Sequence, residues 1–394
     1  MTVLSIIRKT CSYSNTKIVA MDPVLIRNSV TLAAETKAAV SGEIPAIGRK
    51  WVGRWLFGCS GMVFGAVVIG GLTRLTESGL SMTDWHLFGK RPPWSRAEWE
   101  KEFAQYQQYP EYQLKNKGMT LEEFKFIWWM EYGHRQWGRT IGTFFLFPAA
   151  YFWHKGWFNK AMKKRVFAMG ALIGFQGLLG WYMVKSGLED RFKDPSDVPR
   201  VSQYRLSAHL GSAFVLYSLF LWNALEFSFP AQSIKQASLQ TLKFRKLAHF
   251  TKGWVFLTAL SGNINYLIHL HKAKKINSML PMDFFSYFLL DIWSYPLKNV
   301  CTLDLEKRVM GTTAVCLATA LAVWSRRVPM PPRAYTAANT LGAMAWMQVG
   351  LGISTLLLYV PVSLAAMHQS GSLLTLSFAI WLTHELKHLP KLYR

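Results

Sequence analysis

Three stretches of this 394-residue chain, Trp55–Thr73, Val166–Val184 and Leu206–Leu225, run 19 or 20 residues without an Asp, Glu, Lys or Arg. At about 1.5 Å of rise per residue such a stretch spans the ~30 Å hydrocarbon core of a bilayer. Lipid offers no partner for a backbone amide, so the stretch must satisfy its own hydrogen bonds as a helix. Ala334–His384 is uncharged as well, and Pro361 in "VPVS" divides it into two spans. Gln136–Trp153, with Arg139 its one charge, Gly253–His271 and Val309–Ser325 complete the series. The expectation is an all-α, polytopic membrane protein with eight transmembrane helices.

Composition agrees. Charged residues make up 17% of the chain, against roughly 25% in soluble domains. The net charge of +23 raises the question of nucleic acid, but its distribution answers it. The excess sits in "HKGWFNKAMKKR" (154–165), in Lys235–Lys252, at Arg326, Arg327 and Arg333, and in the C-terminal "KHLPKLYR". With eight spans these segments share one side of the membrane with the N-terminus, while acids and bases balance in Thr76–Phe126 and Ser186–Tyr204 on the other. That is a positive-inside topology with both termini inside, and nucleic acid is excluded as a partner.

The first 21 residues hold no acid, several Ser and Thr, and Arg8, Lys9 and Lys17. This composition is that of a mitochondrial presequence. None of Cys11, Cys59, Cys301 and Cys316 forms a CxxC or CxxCH, so neither a thiol redox pair nor covalent haem attachment is indicated. Nucleotide-binding glycine motifs in a strand–helix setting are absent.

The chain repeats itself. "LIGFQGLLGWYMV" (172–184) is echoed by "MAWMQVGLGISTL" (344–356), which sets Gln176 opposite Gln348 and Gly180 opposite Gly352. "LSAHLGSAFVLYSLFLW" (206–222) is answered by "LAAMHQSGSLLTLSFAIW" (364–381), with His209 opposite His368. "EYGHRQWGRT" (131–140) is answered by "DLEKRVMGTT" (304–313), with Arg135 opposite Arg308 and Lys307 opposite His134. Two tandem four-helix units of parallel orientation follow.

His134 at the opening of the second span and His209 near the start of the fourth then stand at matched depth on separate helices. Two such imidazoles suit the axial positions of a haem held between helices. A hydrogen bond between neighbouring helices is the ordinary alternative for either ring. Arg135, Arg139 and Arg205 suit the haem propionates. Glu131 precedes His134 by three residues, on the same face one turn earlier. It reads either as a proton acceptor at the haem edge or as a helix N-terminal acid favoured by the macrodipole.

These residues lie in long motifs. "GGLTRLTESGLSMTDW" (70–85), "EFKFIWWMEYGHRQWGR" (123–139), "FQGLLGWYMVKSGL" (175–188), "VSQYRLSAHLGSA" (201–213), "QVGLGISTLLLYVP" (348–361) and "AAMHQSGS" (365–372) resemble the haem A synthase family in its mitochondrial inner-membrane branch. The resemblance runs from Trp51 to Leu386 apart from one stretch. It implies oxidation of the position-8 methyl of haem O to a formyl, giving haem A for cytochrome c oxidase. It implies haem O as substrate in the N-terminal half, haem A as product, and a prosthetic haem b in the C-terminal half. Glu131 matches the catalytic glutamate, His134 and His209 the N-terminal histidine pair, and His368 one C-terminal ligand. The implied partners are membrane lipid, the farnesyltransferase that supplies haem O and a ferredoxin-type electron donor; a homo-oligomer is left open, since the sequence does not give the oligomeric state. The corresponding layout is a presequence and matrix segment (1–50), a substrate-haem half (51–228), a matrix linker (229–252), a haem b half (253–386) and a basic tail (387–394).

Residues 263–307 depart from the family pattern, which has a histidine where this chain has Lys307. A charged amine has no lone pair for iron. The stretch is open to three readings: a mis-assembled coding segment, a genuine variant whose second haem site is lost or weakened, or a variant using His269 or His271 instead. Without regard to the resemblance, a diheme b-type electron carrier and a non-catalytic haem-handover protein are the rival functions.

Overall fold

The computed structural model describes residues 44–188, 201–230, 232, 238–276 and 301–388, without the side chains of 203, 262–276, 301–307 and 388. The presequence and the middle of the atypical stretch therefore lie outside the described residues, as do the side chains of His269, His271 and Lys307. Among the described residues every regular element is a helix, in the order α1 (Ala46–Leu75), α2 (Arg96–Tyr106), α3 (Pro110–Leu114), α4 (Leu121–His154), α5 (Lys160–Gly187), α6 (Gln203–Ser228), α7 (Leu239–Ile276), α8 (Cys301–Ser325), α9 (Pro332–Leu357) and α10 (Val362–Glu385).

Local chemistry sets the helix ends. Ser95 and Thr120 open α2 and α4 with reciprocal capping boxes to Glu98 and Glu123, each satisfying two amides that lack an intrahelical acceptor. Asn159 caps α5 through the Met162 amide at 2.8 Å. Pro332 at the first position of α9, and Pro361 just before α10, supply a preset φ where a missing N–H costs nothing.

Five helices among the described residues are long and apolar enough to cross a membrane: Ala46–Leu75, Lys160–Gly187, Tyr204–Ser228, Arg308–Ser325 and Pro332–Leu357. The other three expected spans fall within α4, α7 and α10, which have 34, 38 and 24 residues. Phe147, Phe167, Leu178, Leu257 and Trp346 point away from the helix bundle, as side chains facing acyl chains would.

The helices pack in corresponding pairs. α1 lies against α4 and α6, and α5 bridges α4 and α6; α7 lies against α8 and α10, and α9 bridges α8 and α10. One core fills the first set around Leu56, Cys59, Phe145, Phe214 and Phe220, and extends to Leu373 and Leu376 of α10. A second joins Phe244, Leu321, Leu341 and Leu382. Indole N–H groups tie neighbouring helices, from Trp55 to the Phe144 carbonyl at 3.1 Å and from Trp254 to the Met310 carbonyl at 3.0 Å. Tyr217 and Ser377 meet at 2.7 Å where α6 touches α10. Between α1 and α4 the short α2 and α3 form an outer layer, in which α2 carries the contact. It packs Trp99, Phe103 and Tyr106 on Phe124 and Trp128 at the start of α4.

Candidate functional site

α4 begins at Leu121, so the expected span opening at Gln136 is a point well inside a longer helix. Glu131 stands in its third turn. The macrodipole acts only on the first turn, and that reading of Glu131 falls. What holds its charge is side-chain and backbone chemistry. Oε2 accepts from Ser81 Oγ and from the Met82 amide, both at 2.8 Å. Oε1 accepts from Arg135 Nε at 3.0 Å and Nη2 at 2.5 Å. The carboxylate is 4% exposed and the guanidinium 11%, so the pair is removed from water and its bonds are of the strong, charge-assisted kind.

Arg135 also donates to the carbonyls of Met82 and Asp84, both at 2.8 Å, which engages four of its five N–H groups. Arg139, one turn on, donates to the carbonyls of His86 at 2.6 Å and Leu87 at 3.1 Å. Glu131, Arg135 and Arg139 thus form a ladder at helical spacing that binds the segment 81–87 after α1 across the face of α4. Sequence reasoning assigned Arg135 and Arg139 to propionates; the structure places them on this loop. It missed Ser81 and Met82, although both lie in a motif that follows directly on a span.

That segment carries its own charges. Burial pushes the Asp84 carboxyl up, but the hydrogen bond and charge of Lys90 outweigh it and leave the group below the usual carboxylate range. Lys90 is shared with Glu102 of α2, which ties the outer layer to the loop. Beneath the outer layer Glu111 is 5% exposed and accepts from Tyr106 Oη at 3.0 Å. Burial raises its carboxyl to about 7 against the lowering charge of Lys115.

His134 and His209 are half-buried. In both rings Nδ1 is fully buried, and neither ring makes a hydrogen bond among the described residues. A buried imidazole nitrogen without a partner is costly, and the expected alternative of a hydrogen bond to a neighbouring helix is not what the structure shows. Space is cleared for the rings by glycine: a Cβ at Gly70 of α1 would stand 2.8 Å from His134 Cε1, and one at Gly180 of α5 would stand 3.5 Å from His209 Cε1. Gln176 of α5 fixes the turn that bears His209, donating to its carbonyl at 3.2 Å and to Ser212 Oγ at 2.5 Å. Two unpartnered rings from α4 and α6 fit a flat macrocycle bound by its iron.

His368 of α10 occupies the matching place in the second set. A Cβ at Gly352 would lie 3.3 Å from its Cε1, and the Gln348 side chain fills the space beside Gly371 without the hydrogen bonds that Gln176 makes. Arg205 stacks on Tyr182, 4.6 Å from the ring centroid, and makes no hydrogen bond among the described residues. Among the described residues it alone of the three arginines assigned to propionates keeps its donors free. Glu77, in left-handed backbone at φ 54, pairs with Lys115 at the outer layer.

The family model described as Cytochrome oxidase assembly protein, COX15-CtaA, matches residues 53–380. The chain belongs to this family. Similar curated COX15-CtaA relatives include Heme A synthase COX15 of Bos taurus, 50% identical, the match covering 96% of this chain and 89% of the relative. The human Heme A synthase COX15 is 53% identical over 87% of this chain and 84% of its own. A bacterial relative, Heme A synthase of Nitrosospira multiformis, is 40% identical over 86% and 94%. No solved structure matches the chain.

Proposed function

We propose that this chain is a haem A synthase: it oxidises the position-8 methyl of haem O to the formyl of haem A, for use in cytochrome c oxidase. Two successive hydroxylations give a hydroxymethyl group and then a geminal diol, which loses water to leave the aldehyde. The observation that carries the reading is the unpartnered pair His134 and His209, set in glycine-cleared space one turn from the buried Glu131, in a chain half identical to Heme A synthase COX15.

Haem iron supplies the oxidising strength that an unactivated methyl requires and that no side chain has. The protein's own share is positioning and charge. His134 and His209 orient the substrate from two helices, and Arg205 meets a propionate. Glu131, with four donors on its two oxygens, favours the role of a fixed negative charge beside the reacting edge over that of a mobile proton carrier. Arg135 and Arg139 hold the segment 81–87 down and keep water from the site.

In the second set the sequence repeat offers one imidazole, not two, for a prosthetic haem b. His368 supplies one, while Lys307 stands at the other position and its charged amine offers no lone pair. The tandem-repeat, eight-span architecture belongs to the same reading, supported by the corresponding helix pairs and the matching contacts of Gly180 with His209 and Gly352 with His368. So does a multi-pass placement in the mitochondrial inner membrane with both termini in the matrix, a farnesyltransferase upstream, and a ferredoxin-type donor.

The test is replacement of the natural enzyme. In cells lacking their own haem A synthase, expression of this chain restores haem A to extracted membranes, and the Glu131→Gln chain at equal abundance does not. Absence of haem A with the unaltered chain present in the membrane rejects the reading.

A further inference from the structure

At one end of the bundle, remote from the histidine pair in sequence and made by other helix ends, three termini enclose an open cavity of about 570 Å³. Its lining is Trp222 near the end of α6, Arg245, Lys246 and His249 near the start of α7, and Lys387 just after α10. The volume is that of a small-molecule site. The lining is cationic and largely uncompensated. Lys387 pairs with Glu226 at 3.1 Å, a carboxylate that also holds Arg165. Among the described residues Arg245, Lys246 and the adjacent Lys252 are in no ion pair. Lys252 and Lys387 lie 5.3 and 5.8 Å from the Trp222 ring, so one indole faces two ammonium groups. His249 is held below its usual value by burial and then by the charges of Lys252 and Arg245.

Concentrated positive charge of this kind lacks its counter-ion. The α7 surface says where the counter-ion comes from. Lys243, Lys246 and His249 are exposed at the start of the helix, and the exposed positions that follow are Phe250, Gly253 and Leu257. One helix face passes within two turns from cations to apolar side chains. A soluble anion has no use for the second part; an amphiphile uses both.

We propose that this cavity binds the phosphate headgroup of an anionic phospholipid, with Arg245, Lys246 and Lys387 on the phosphate and the acyl chains along Phe250 and Leu257. Basic pockets between spanning helices at the inner face are known to take such headgroups. The cavity lies where α6, α7 and α10 meet, so the bound lipid braces the junction between the two helix sets.

The experiment compares lipid retention by the purified full chain in phosphatidylcholine nanodiscs with and without phosphatidylglycerol, read by native mass spectrometry. The chain retains phosphatidylglycerol in preference to phosphatidylcholine, and inorganic phosphate at millimolar concentration does not displace it. At about 1 kcal/mol for each cation near an anionic headgroup, Lys246→Gln lowers retention about fivefold and Arg245→Gln/Lys246→Gln about 25-fold. Lys246 is exposed, so its single variant folds. The control Lys155→Gln/Lys164→Gln, on another basic segment, leaves retention unchanged. Equal loss in the control reduces the effect to diffuse surface charge and overturns the proposal. So does equal retention of the two lipids, and so does displacement by inorganic phosphate, which makes the cavity a free-anion site.

Discussion

Glu131 and Arg135, one turn apart on α4, are joined by two hydrogen bonds, and the same guanidinium grips the carbonyls of Met82 and Asp84. The acid at the proposed reaction centre and the arginine that fastens the loop over it are one unit. Changes to either must be read as changes to both.

Removing the guanidinium leaves a buried carboxylate with half its donors. Arg135→Ala is expected to cost about 3–5 kcal/mol, the range for breaking a buried pair. It also frees 81–84 while 86–87 stays held by Arg139. Hydrogen exchange by mass spectrometry on the chain in detergent checks this: protection falls at 81–84 before it falls in α4. Glu131→Gln keeps the shape but loses the charge. It lowers haem A formation by about 10²–10³, the loss seen on removing one preorganised electrostatic group, with haem O binding unchanged.

Glycine spacing gives a steric test of the histidine pair. A methyl at Gly70 would sit 2.8 Å from His134 Cε1, closer than any real contact. Gly70→Ala therefore turns the ring and abolishes haem O retention, as His134→Ala and His209→Ala do. At Gly180 the same methyl meets His209 Cε1 at an ordinary 3.5 Å, and Gly180→Ala retains haem. Haem absorbance per polypeptide after purification separates the two.

Much of this was legible in the chain, and the remainder was hidden for physical reasons. Uncharged windows located α1, α5, α6, α8 and α9, because lipid tolerates charge so poorly that its absence is a strong signal. His134, His209 and His368 stood out through the internal repeat. The extent of α4 did not, since Glu131, Arg135 and Arg139 interrupt its apolar pattern; their charges are neutralised by a loop whose fold no periodicity announces. The ladder's acceptors are backbone carbonyls of Met82, Asp84, His86 and Leu87, which look alike in any sequence. Glu111 was likewise unremarkable until α3 buried it.

Glu111 makes the outer layer sensitive to pH. Its carboxyl is raised by burial from an ordinary 4.5 to about 7 in the folded state. The folded layer therefore holds a proton that the opened layer releases. Its stability is greatest below pH 4.5 and falls as pH rises to 7, by roughly 3 kcal/mol in all. Exchange protection of α2 and α3 is expected to decline between pH 5 and pH 8, and Glu111→Gln to flatten the profile.

Lys307 offers a gain-of-function test. Its replacement by histidine puts an imidazole at the position opposite His134 in the repeat. Lys307→His is expected to raise the haem b retained by the purified chain towards one per polypeptide, read by the pyridine haemochrome spectrum. An unchanged ratio would show that Lys307 alone does not set the haem b content of this half.

The central claim is that this chain converts haem O rather than merely holding it. The direct measurement uses the purified full-length chain, supplied with haem O, oxygen and a ferredoxin reducing system, followed by acid extraction and chromatographic separation of the haems. Haem A, or its hydroxymethyl precursor, is expected in the extract, and neither from the Glu131→Gln chain. Recovery of haem O alone, bound at His134 and His209 but unaltered, would contradict the claim and make the chain a haem carrier.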